Sequence, residues 1–307
     1  MKKALVFIAA LLLIAGGCSR APKKALVGYV INNMNDTFQT YVVDAFKAYF
    51  ADKPEYTVEV QDAQEDVVRQ QDQVNNLIAK GAKALVVVPV NTSAMAPITK
   101  AAQDAKIPLV YVNRNPFGDA QPPANVFYVG SQEIVAGQLQ MESMGKLLNG
   151  QGGVAILMGK LDNEGAILRT QGNEDVIKSK FPNIKVLAKE TGNWQRVQGM
   201  SLTENWVTTY GSSLNGILAN NDEMALGAAE ALRAAGRTDV IVMGVDFIPD
   251  AKTAIGNGTL TASVLQDSAG QGRGAAEAAA KALAGQSQPG INWIPFVYID
   301  KSNYTQY

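Results

Sequence analysis

The stretch ALVVVPVNTSAMAPITKAAQDAKIPLVYVN, residues 84–113, decides the fold. It contains two short runs of β-branched and other apolar residues, 84–90 and 107–113, separated by a helical pattern over 93–104. Strands that are apolar along their whole length are typical of a parallel sheet, because helices cover both of its faces. The stretch therefore predicts a strand–helix–strand unit of a parallel α/β sheet.

The same alternation continues in both directions from this unit. The other predicted strands are 25–31, 56–63, 125–130, 152–159, 184–192, 216–222, 240–246 and 260–267. The other predicted helices are 37–51, 65–80, 132–148, 164–180, 196–209, 223–235, 248–257 and 270–284. Asn163 and Asp222 stand where helix N-caps are expected, and Gly81 and Gly236 stand just after helix ends.

Ten predicted strands are many for one sheet, and a second strand–helix series starts at Gly152. We therefore expect an α/β protein with two similar doubly wound, Rossmann-like parallel-sheet lobes and a ligand cleft between them. The expected lobes are 25–130 plus 267–297 and 131–266 plus 298–307. The short crossovers are expected near Gly130–Ser131, Gln266–Asp267 and Tyr298–Asp300.

Residues 1–17 are typical of a secretory signal peptide: two lysines, a short apolar run and small residues. The apolar run is too short to cross about 30 Å of hydrocarbon. The segment LIAGGC, residues 13–18, resembles a bacterial lipobox, which predicts lipidation at Cys18 and a polar tether over 18–24. The protein would then lie outside the cytoplasm and reach the membrane only through its lipid anchor. The alternative is an ordinary signal peptide with an incidental cysteine.

The composition of the chain excludes several classes of catalytic site, metal site and binding partner. The chain has 307 residues, no histidine and one cysteine, which excludes Ser-His-Asp and Cys-His catalysis and histidine-ligated or cysteine-cluster metal sites. Its formal charge of −1 gives no basic face for nucleic acid. The sequence implies no cofactor and no metal.

Polar and aromatic side chains follow nearly every predicted strand, where ligands bind in open α/β sheets. The candidate ligand-binding residues are Asp36, Phe38, Asn113, Arg114, Asn163, Arg169, Trp194, Asn221, Asp246 and Gln266. Carboxylates, amides and guanidinium groups suit sugar hydroxyls, which both donate and accept hydrogen bonds, and aromatic faces suit the C–H faces of a ring. Each residue also has a structural alternative as a cap, a turn, a surface or a core residue. Asp222 is expected to cap a helix, so Asn221 is the preferred ligand residue.

Several motifs resemble the periplasmic sugar-binding proteins of bacterial ABC transporters, in the ribose/galactose-binding group with the type I periplasmic binding fold. The matching segments include NMNDTF, IPLVYVNRNP, YVGSQEIVAGQ, ILANNDEMALGAAEAL, VMGVDFIP and GTLTASVLQD, and the resemblance covers 25–307. It implies that seven of the candidates hold a sugar: two aromatic residues, Phe38 and Trp194, on its faces, and five polar residues between them. The polar residues are Asp36, Asn113, Arg169, Asn221 and Asp246.

This chain departs from the galactose binders of that group. They carry a His and an Asp shortly before the matching Arg169, where this chain has DNEG at 162–165. Arg114 and Gln266 look more like ribose-binding relatives, so galactose or glucose, ribose, or a cyclic polyol such as myo-inositol all remain candidates. The segment 148–152 lacks the carboxylates of the galactose binders' calcium loop, so no calcium is expected.

The resemblance implies a monomer whose lobes close on a monosaccharide or cyclic polyol and deliver it to an ABC permease. Three other interpretations keep the fold: a nucleoside ligand, an autoinducer, or ligand delivery to a chemoreceptor. A carboxylate glycosidase using Asp222 and Asp246 is a rival, but an enzyme is not expected. The GQGRG segment at 270–274 is a weak dinucleotide signal. A transcription regulator of the lactose-repressor type would need a helix-turn-helix where the export signal stands.

Overall fold

The computed structural model describes residues 24–307; the predicted signal peptide and Cys18 lie outside the described residues. The described strands are β1 Ala25–Ile31, β2 Tyr56–Asp62, β3 Ala84–Val87, β4 Leu109–Val112, β5 Val126–Gly130, β6 Gln151–Met158, β7 Asn183–Thr191, β8 Leu214–Ala219, β9 Ile241–Asp246, β10 Ala262–Leu265, β11 Ile291–Trp293 and β12 Val297–Asp300. The helices are α1 Thr37–Phe50, α2 Val67–Ala79, α3 Ala96–Asp104, α4 Glu133–Leu147, α5 Glu164–Lys180, α6 Arg196–Tyr210, α7 Asp222–Ala234, α8 Pro249–Asn257 and α9 Ser268–Leu283. All ten predicted strands and all nine predicted helices are confirmed, with shifts of a few residues at their ends.

The strands form two six-stranded sheets, which confirms the two doubly wound lobes. The first has the order β11-β5-β4-β3-β1-β2 and is parallel throughout. The second has the order β12-β10-β9-β8-β6-β7, with β12 antiparallel at its edge. Each sheet therefore reverses its order of winding, and ligands bind at such switch points.

The sequence analysis missed β11 and β12. Both are short edge strands: β11 has only three residues, and Pro295 lies just before the short apolar run 296–299 that contains most of β12. Their pairing corrects the third crossover, which was expected at 298–300. Those residues lie in β12 and pair with β10, so the chain passes between the sheets at 294–296, just before β12.

Neighbouring residues of the central strands enter different cores, which explains their continuous apolar sequences. In β6, Ala155 and Leu157 pack in one core of the second lobe, and Val154 and Ile156 pack in another on the opposite face. All four are fully buried. A strand between two helical layers cannot alternate apolar and polar residues, so the period of two disappears.

Three of the four predicted helix-end residues are confirmed. Asn163 caps α5 by accepting a hydrogen bond from the Gly165 backbone N–H, and Gly81 and Gly236 follow α2 and α7 with φ of +88° and +71°. The prediction for Asp222 was wrong, because Asn221 is the N-cap of α7 and accepts from Met224 N at 3.1 Å.

Among residues 24–307, no helix combines the length and the hydropathy needed to cross a membrane.

Hydrogen bonds between residues of the described range join the lobes across the cleft. Thr37 Oγ1 donates to Glu223 at 2.9 Å, Lys160 Nζ donates to Glu65 at 2.9 Å, and Asn115 N donates to Glu164 at 2.8 Å. The two lobes are therefore in contact, and the carboxyl ends of both sheets face the same region between them.

Candidate functional site

A cavity with an empty volume of about 380 Å³ lies between the lobes. The ten side chains selected from the sequence all line it. The lining residues are Asp36, Phe38, Asn113, Arg114, Asn163, Arg169, Trp194, Asn221, Asp246 and Gln266, together with Gln39, Glu133, Glu164 and Gly165. Strand ends far apart in sequence thus meet at one place, as expected for the carboxyl edges of two facing parallel sheets.

The first lobe contributes the start of α1. Asp36 is its N-cap and accepts from Gln39 N at 3.2 Å, so this carboxylate is both a helix cap and a wall of the cavity. Asn113, with φ of +68°, turns the chain directly after β4. Its side-chain amide accepts from Gln39 Nε2 at 2.6 Å and donates to Gln271 Oε1 at 3.0 Å. These bonds fix the orientation of the amide before any ligand is present.

Arg114 is held by backbone oxygens beneath the cavity. Its NH1 donates to the carbonyls of Pro89 and Val90 at 3.0 and 3.3 Å, and its NH2 lies 3.8 Å from Asp36 Oδ2. The side chain is buried, so the interpretation of Arg114 as a solvated surface residue is wrong. The two hydrogen bonds to backbone carbonyls use only NH1, so the other N–H groups of the guanidinium can bind a ligand oxygen.

Arg169 is the most extensively hydrogen-bonded residue that the second lobe contributes to the cavity. Its Nε donates to Glu133 at 2.6 Å, its NH1 to the Asn220 carbonyl at 2.6 Å, and its NH2 to Gln266 at 3.1 Å. Asp246 Oδ1 lies 3.7 Å from NH1. Burial works against the charged guanidinium, but Glu133 and Asp246 outweigh it and hold the pKa of Arg169 above its ordinary value.

Trp194 supplies a flat apolar face, and Gly159 determines where that face lies. A Cβ atom at Gly159 would stand 2.0 Å from Trp194 Cζ2, so the indole occupies the space that any other side chain would need. The guanidinium carbon of Arg169 lies 5.7 Å from the indole ring. Among the described residues, Trp194 Nε1 is buried and has no hydrogen-bond partner.

Asp246 stands on a strained corner at the end of β9. Asp246 and Phe247 have φ of +117° and +59°, values that non-glycine residues adopt at a cost of order 1–3 kcal/mol each. Ser263 Oγ accepts from Phe247 N at 3.1 Å and donates to Asp222 Oδ1 at 2.7 Å, and Asp222 Oδ2 accepts from Ile248 N at 3.0 Å. The buried Asp222 therefore holds this corner, which is why it is not the cap of its helix.

The carboxyl groups of the cavity outnumber its guanidinium groups by four to two. Burial raises the pKa of Asp36 against the attraction of Arg114, and it raises the pKa of Glu133 against the attraction of Arg169. Burial also raises the pKa of Asp246 well above its ordinary value. The pKa of Glu164 is raised to about 8 by burial and by repulsion from Glu133.

The sequence matches the family described as "Periplasmic binding protein domain" over residues 27–287. This match spans most of the chain and both sheets. The chain belongs to this family of periplasmic binding proteins.

Relatives of this periplasmic binding protein are named for rhizopine and ribose, and a solved one contains myo-inositol. The "Putative rhizopine-binding protein" of Rhizobium meliloti is 38% identical over 310 residues, covering 100% of this chain and 99% of that protein. The ribose import binding protein of Escherichia coli is 28% identical over 286 residues, covering 93% and 94%. A solute-binding protein of an ABC transporter from Bacillus halodurans, solved with bound myo-inositol, superposes with a TM-score of 0.87 at 36% identity, covering 94% and 99%.

Four cavity residues of this periplasmic binding protein were not selected from the sequence: Gln39, Glu133, Glu164 and Gly165. Glu164 is the first residue of α5 and directly follows the selected Asn163, so its place in the sequence could have identified it. Gln39 follows Phe38 by one residue. Glu133 begins α4 and resembles an ordinary acidic residue of a first helical turn, so only its bond to Arg169 shows where it lies.

The arrangement is suited to a polyhydroxylated ring rather than to a metal. Gln39 Oε1, Glu164 Oε2 and Trp194 Nε1 are buried without hydrogen-bond partners in the described part of the chain, and all three belong to cavity residues. Gln39 Oε1 can accept a hydrogen bond and Trp194 Nε1 can donate one, whereas Glu164 Oε2 accepts or donates according to its protonation state. Residues 24–307 contain no cluster of three or more Cys, Asp or Glu side chains that could hold a metal ion.

Replacing Ser263 by Ala is expected to weaken ligand binding about tenfold. The change leaves Phe247 N and one oxygen of Asp222 without their partner, so the strained corner relaxes and Asp246 moves. Isothermal titration calorimetry measures the affinity. T203V is the matched control, because it removes another buried hydroxyl of the second lobe, bonded only to the Gly199 carbonyl. Equal affinities of S263A and T203V would contradict the positioning role.

Proposed function

We propose that this protein is the solute-binding component of an ABC transporter and that it binds a monosaccharide or a cyclic polyol outside the cytoplasm. The observation that carries the proposal is the joint cavity: amide, carboxylate, guanidinium and aromatic groups from both lobes line one space between them. The relatives named for ribose and solved with myo-inositol support the same class of ligand.

The proposed mechanism is binding by closure, and no covalent bond is made or broken. Asp36 and Arg114 lie on the first lobe, and Arg169 and Asp246 lie on the second, so a ligand contacts both sets only when the lobes are together. It binds the closed form more tightly and shifts the population toward it. The closed pair of lobes is then the form that the permease recognises.

The ring of the ligand is proposed to lie between Phe38 and Trp194. Arg169 and Asp246 then form hydrogen bonds with its hydroxyl groups from one side, and Asp36 and Asn113 from the other. Charge-assisted bonds of this kind contribute about 1.5–3 kcal/mol each. Among the candidate ligands, the solved relative with myo-inositol favours a cyclic polyol or a hexose of similar size.

The proposed position of the protein in the cell is based on the sequence of residues 1–24. We propose that residues 1–17 are removed, that Cys18 carries the lipid, and that the protein works as a monomer tethered by 18–24. With the third crossover at 294–296, the lobes are proposed to comprise 25–130 plus 267–293 and 131–266 plus 297–307. A C18S variant that remains as firmly in the membrane fraction as the native protein would contradict the anchor.

A thermal-shift panel tests the proposed function. The ligands are myo-inositol, D-ribose, D-galactose, D-glucose, D-allose and xylitol, with adenosine for the nucleoside alternative and L-leucine as a non-polyol control. A ligand at one hundred times its Kd stabilises the folded state by about 2.7 kcal/mol, which is visible as a higher Tm. We expect at least one polyol to raise the Tm and L-leucine to have no effect. A panel in which no sugar or polyol raises the Tm would overturn the proposal.

A further inference from the structure

Glu164 has a carboxyl group whose two oxygens face different partners. Its Oε1 accepts the backbone N–H of Asn115 from the opposite lobe at 2.8 Å. Its Oε2 is buried, belongs to a cavity residue and has no hydrogen-bond partner within residues 24–307. One side chain therefore bonds the other lobe and also carries a buried polar atom without a partner beside the cavity.

The charged and titratable groups around Glu164 come from four elements. Glu133 begins α4, Arg114 follows β4, Tyr128 lies in β5, and Arg169 lies on the same helix as Glu164. Both arginines are already engaged, Arg169 by Glu133 and Arg114 by backbone carbonyls. Within the described ranges, no lysine or arginine nitrogen lies within 4.0 Å of the Glu164 carboxyl.

A buried carboxylate without a cationic partner is unstable beside a second carboxylate, and protonation relieves that cost. Protonation also matches the geometry. The carbonyl-type oxygen Oε1 accepts from Asn115, and a proton on Oε2 makes that atom a donor toward the cavity. The raised pKa of Glu164, about 8, means that the acid form predominates at pH 7.

We propose that Glu164 is a specificity-determining residue that binds the ligand as a neutral carboxylic acid, donating from Oε2 to a ligand oxygen while Oε1 holds the opposite lobe. The inference rests on the proposed function and assigns the ligand a hydroxyl or ether oxygen, not an ammonium group, at this position. Binding is then linked to one proton. The acid form decreases as the pH rises through about 8, so the affinity decreases with it, by about tenfold for each unit above that value.

The experiment compares Glu164→Gln, Glu164→Ala and the native protein by calorimetry at pH 7 and pH 9. The probe is whichever of myo-inositol, D-ribose, D-galactose and xylitol binds the native protein most tightly. Glutamine imitates the neutral acid, with Oε1 to accept from Asn115 and Nε2 to donate. E204Q is the control, because it removes an exposed charge of α6.

We expect the native protein and E204Q to bind the probe about tenfold more weakly at pH 9 than at pH 7. E164Q should lose most of this pH dependence and should bind at least tenfold more tightly than E164A at pH 7. The proposal is overturned if E164Q keeps the native pH dependence, or if it binds as weakly as E164A at pH 7. If the native protein binds none of the four probes, the sugar or polyol that raises the Tm in the thermal-shift panel takes their place; if none raises the Tm, the proposed function itself is wrong and this inference falls with it.

Discussion

Replacing Arg169 by Met is expected to lower the free energy of unfolding by about 3–5 kcal/mol and to weaken ligand binding about 100-fold. The guanidinium bonds Glu133, Gln266 and a backbone carbonyl, and all of these groups are buried. Its removal leaves the Glu133 carboxyl without the cation that balances it, and an uncompensated buried charge accounts for the loss of stability. The loss of affinity follows because the cavity loses its central charged donor.

Urea unfolding and calorimetry measure the two effects. R273M is the control, because Arg273 is exposed on α9 and its loss should change stability by no more than about 0.5 kcal/mol. The double variant R169M/E133Q removes the uncompensated charge, so it should regain part of the stability without regaining the affinity. A double variant no more stable than R169M alone would show that the ion pair is not the cause.

Gly159→Ala is expected to weaken ligand binding between about 10- and 100-fold, or about 1.4–2.8 kcal/mol. The new Cβ would overlap the Trp194 ring, with separations of 2.0–2.2 Å from three of its carbons. The overlap forces the indole out of its position and removes an apolar wall of the cavity, so a ring-shaped ligand loses one of its two flat contacts.

Calorimetry gives the affinity, and tryptophan fluorescence reports whether the ring has moved. G290A is the matched control, because the nearest atom to its added Cβ is 3.4 Å away at Pro122, an ordinary contact. The control should bind like the native protein and keep its emission maximum. Native affinity in G159A would mean that the Trp194 face makes no contribution to binding.

The central strands could be predicted because their local sequence matches their global environment. In β3 and β4 every residue is buried, so the apolar runs at 84–90 and 107–113 marked their positions. The edge strands β11 and β12 could not be found in this way. They have only three and four residues, and most of their residues are not fully buried, so pairing alone defines them.

The N-cap of α7, Asn221 rather than Asp222, could not be predicted from the sequence. Two adjacent polar residues before a helix are both acceptable N-caps, and local preferences do not separate them. The choice depends on Ser263 and Ile248, whose hydrogen bonds occupy both oxygens of Asp222 and leave the cap to Asn221. Those partners lie 41 and 26 residues further along the chain, beyond any local signal.

The sequence by itself determined the two-lobed α/β architecture and identified ten cavity residues at or shortly after strand ends, because hydrophobic periodicity and position along the chain are local properties. The tertiary structure alone decided how these residues are held. Arg169 meets Glu133 across 36 residues of sequence, and Trp194 rests on Gly159, because helices and loops from separate units pack together. The tertiary structure also decides the charge state of Glu164, since its burial and its neighbouring carboxyl group exist only after the chain has folded.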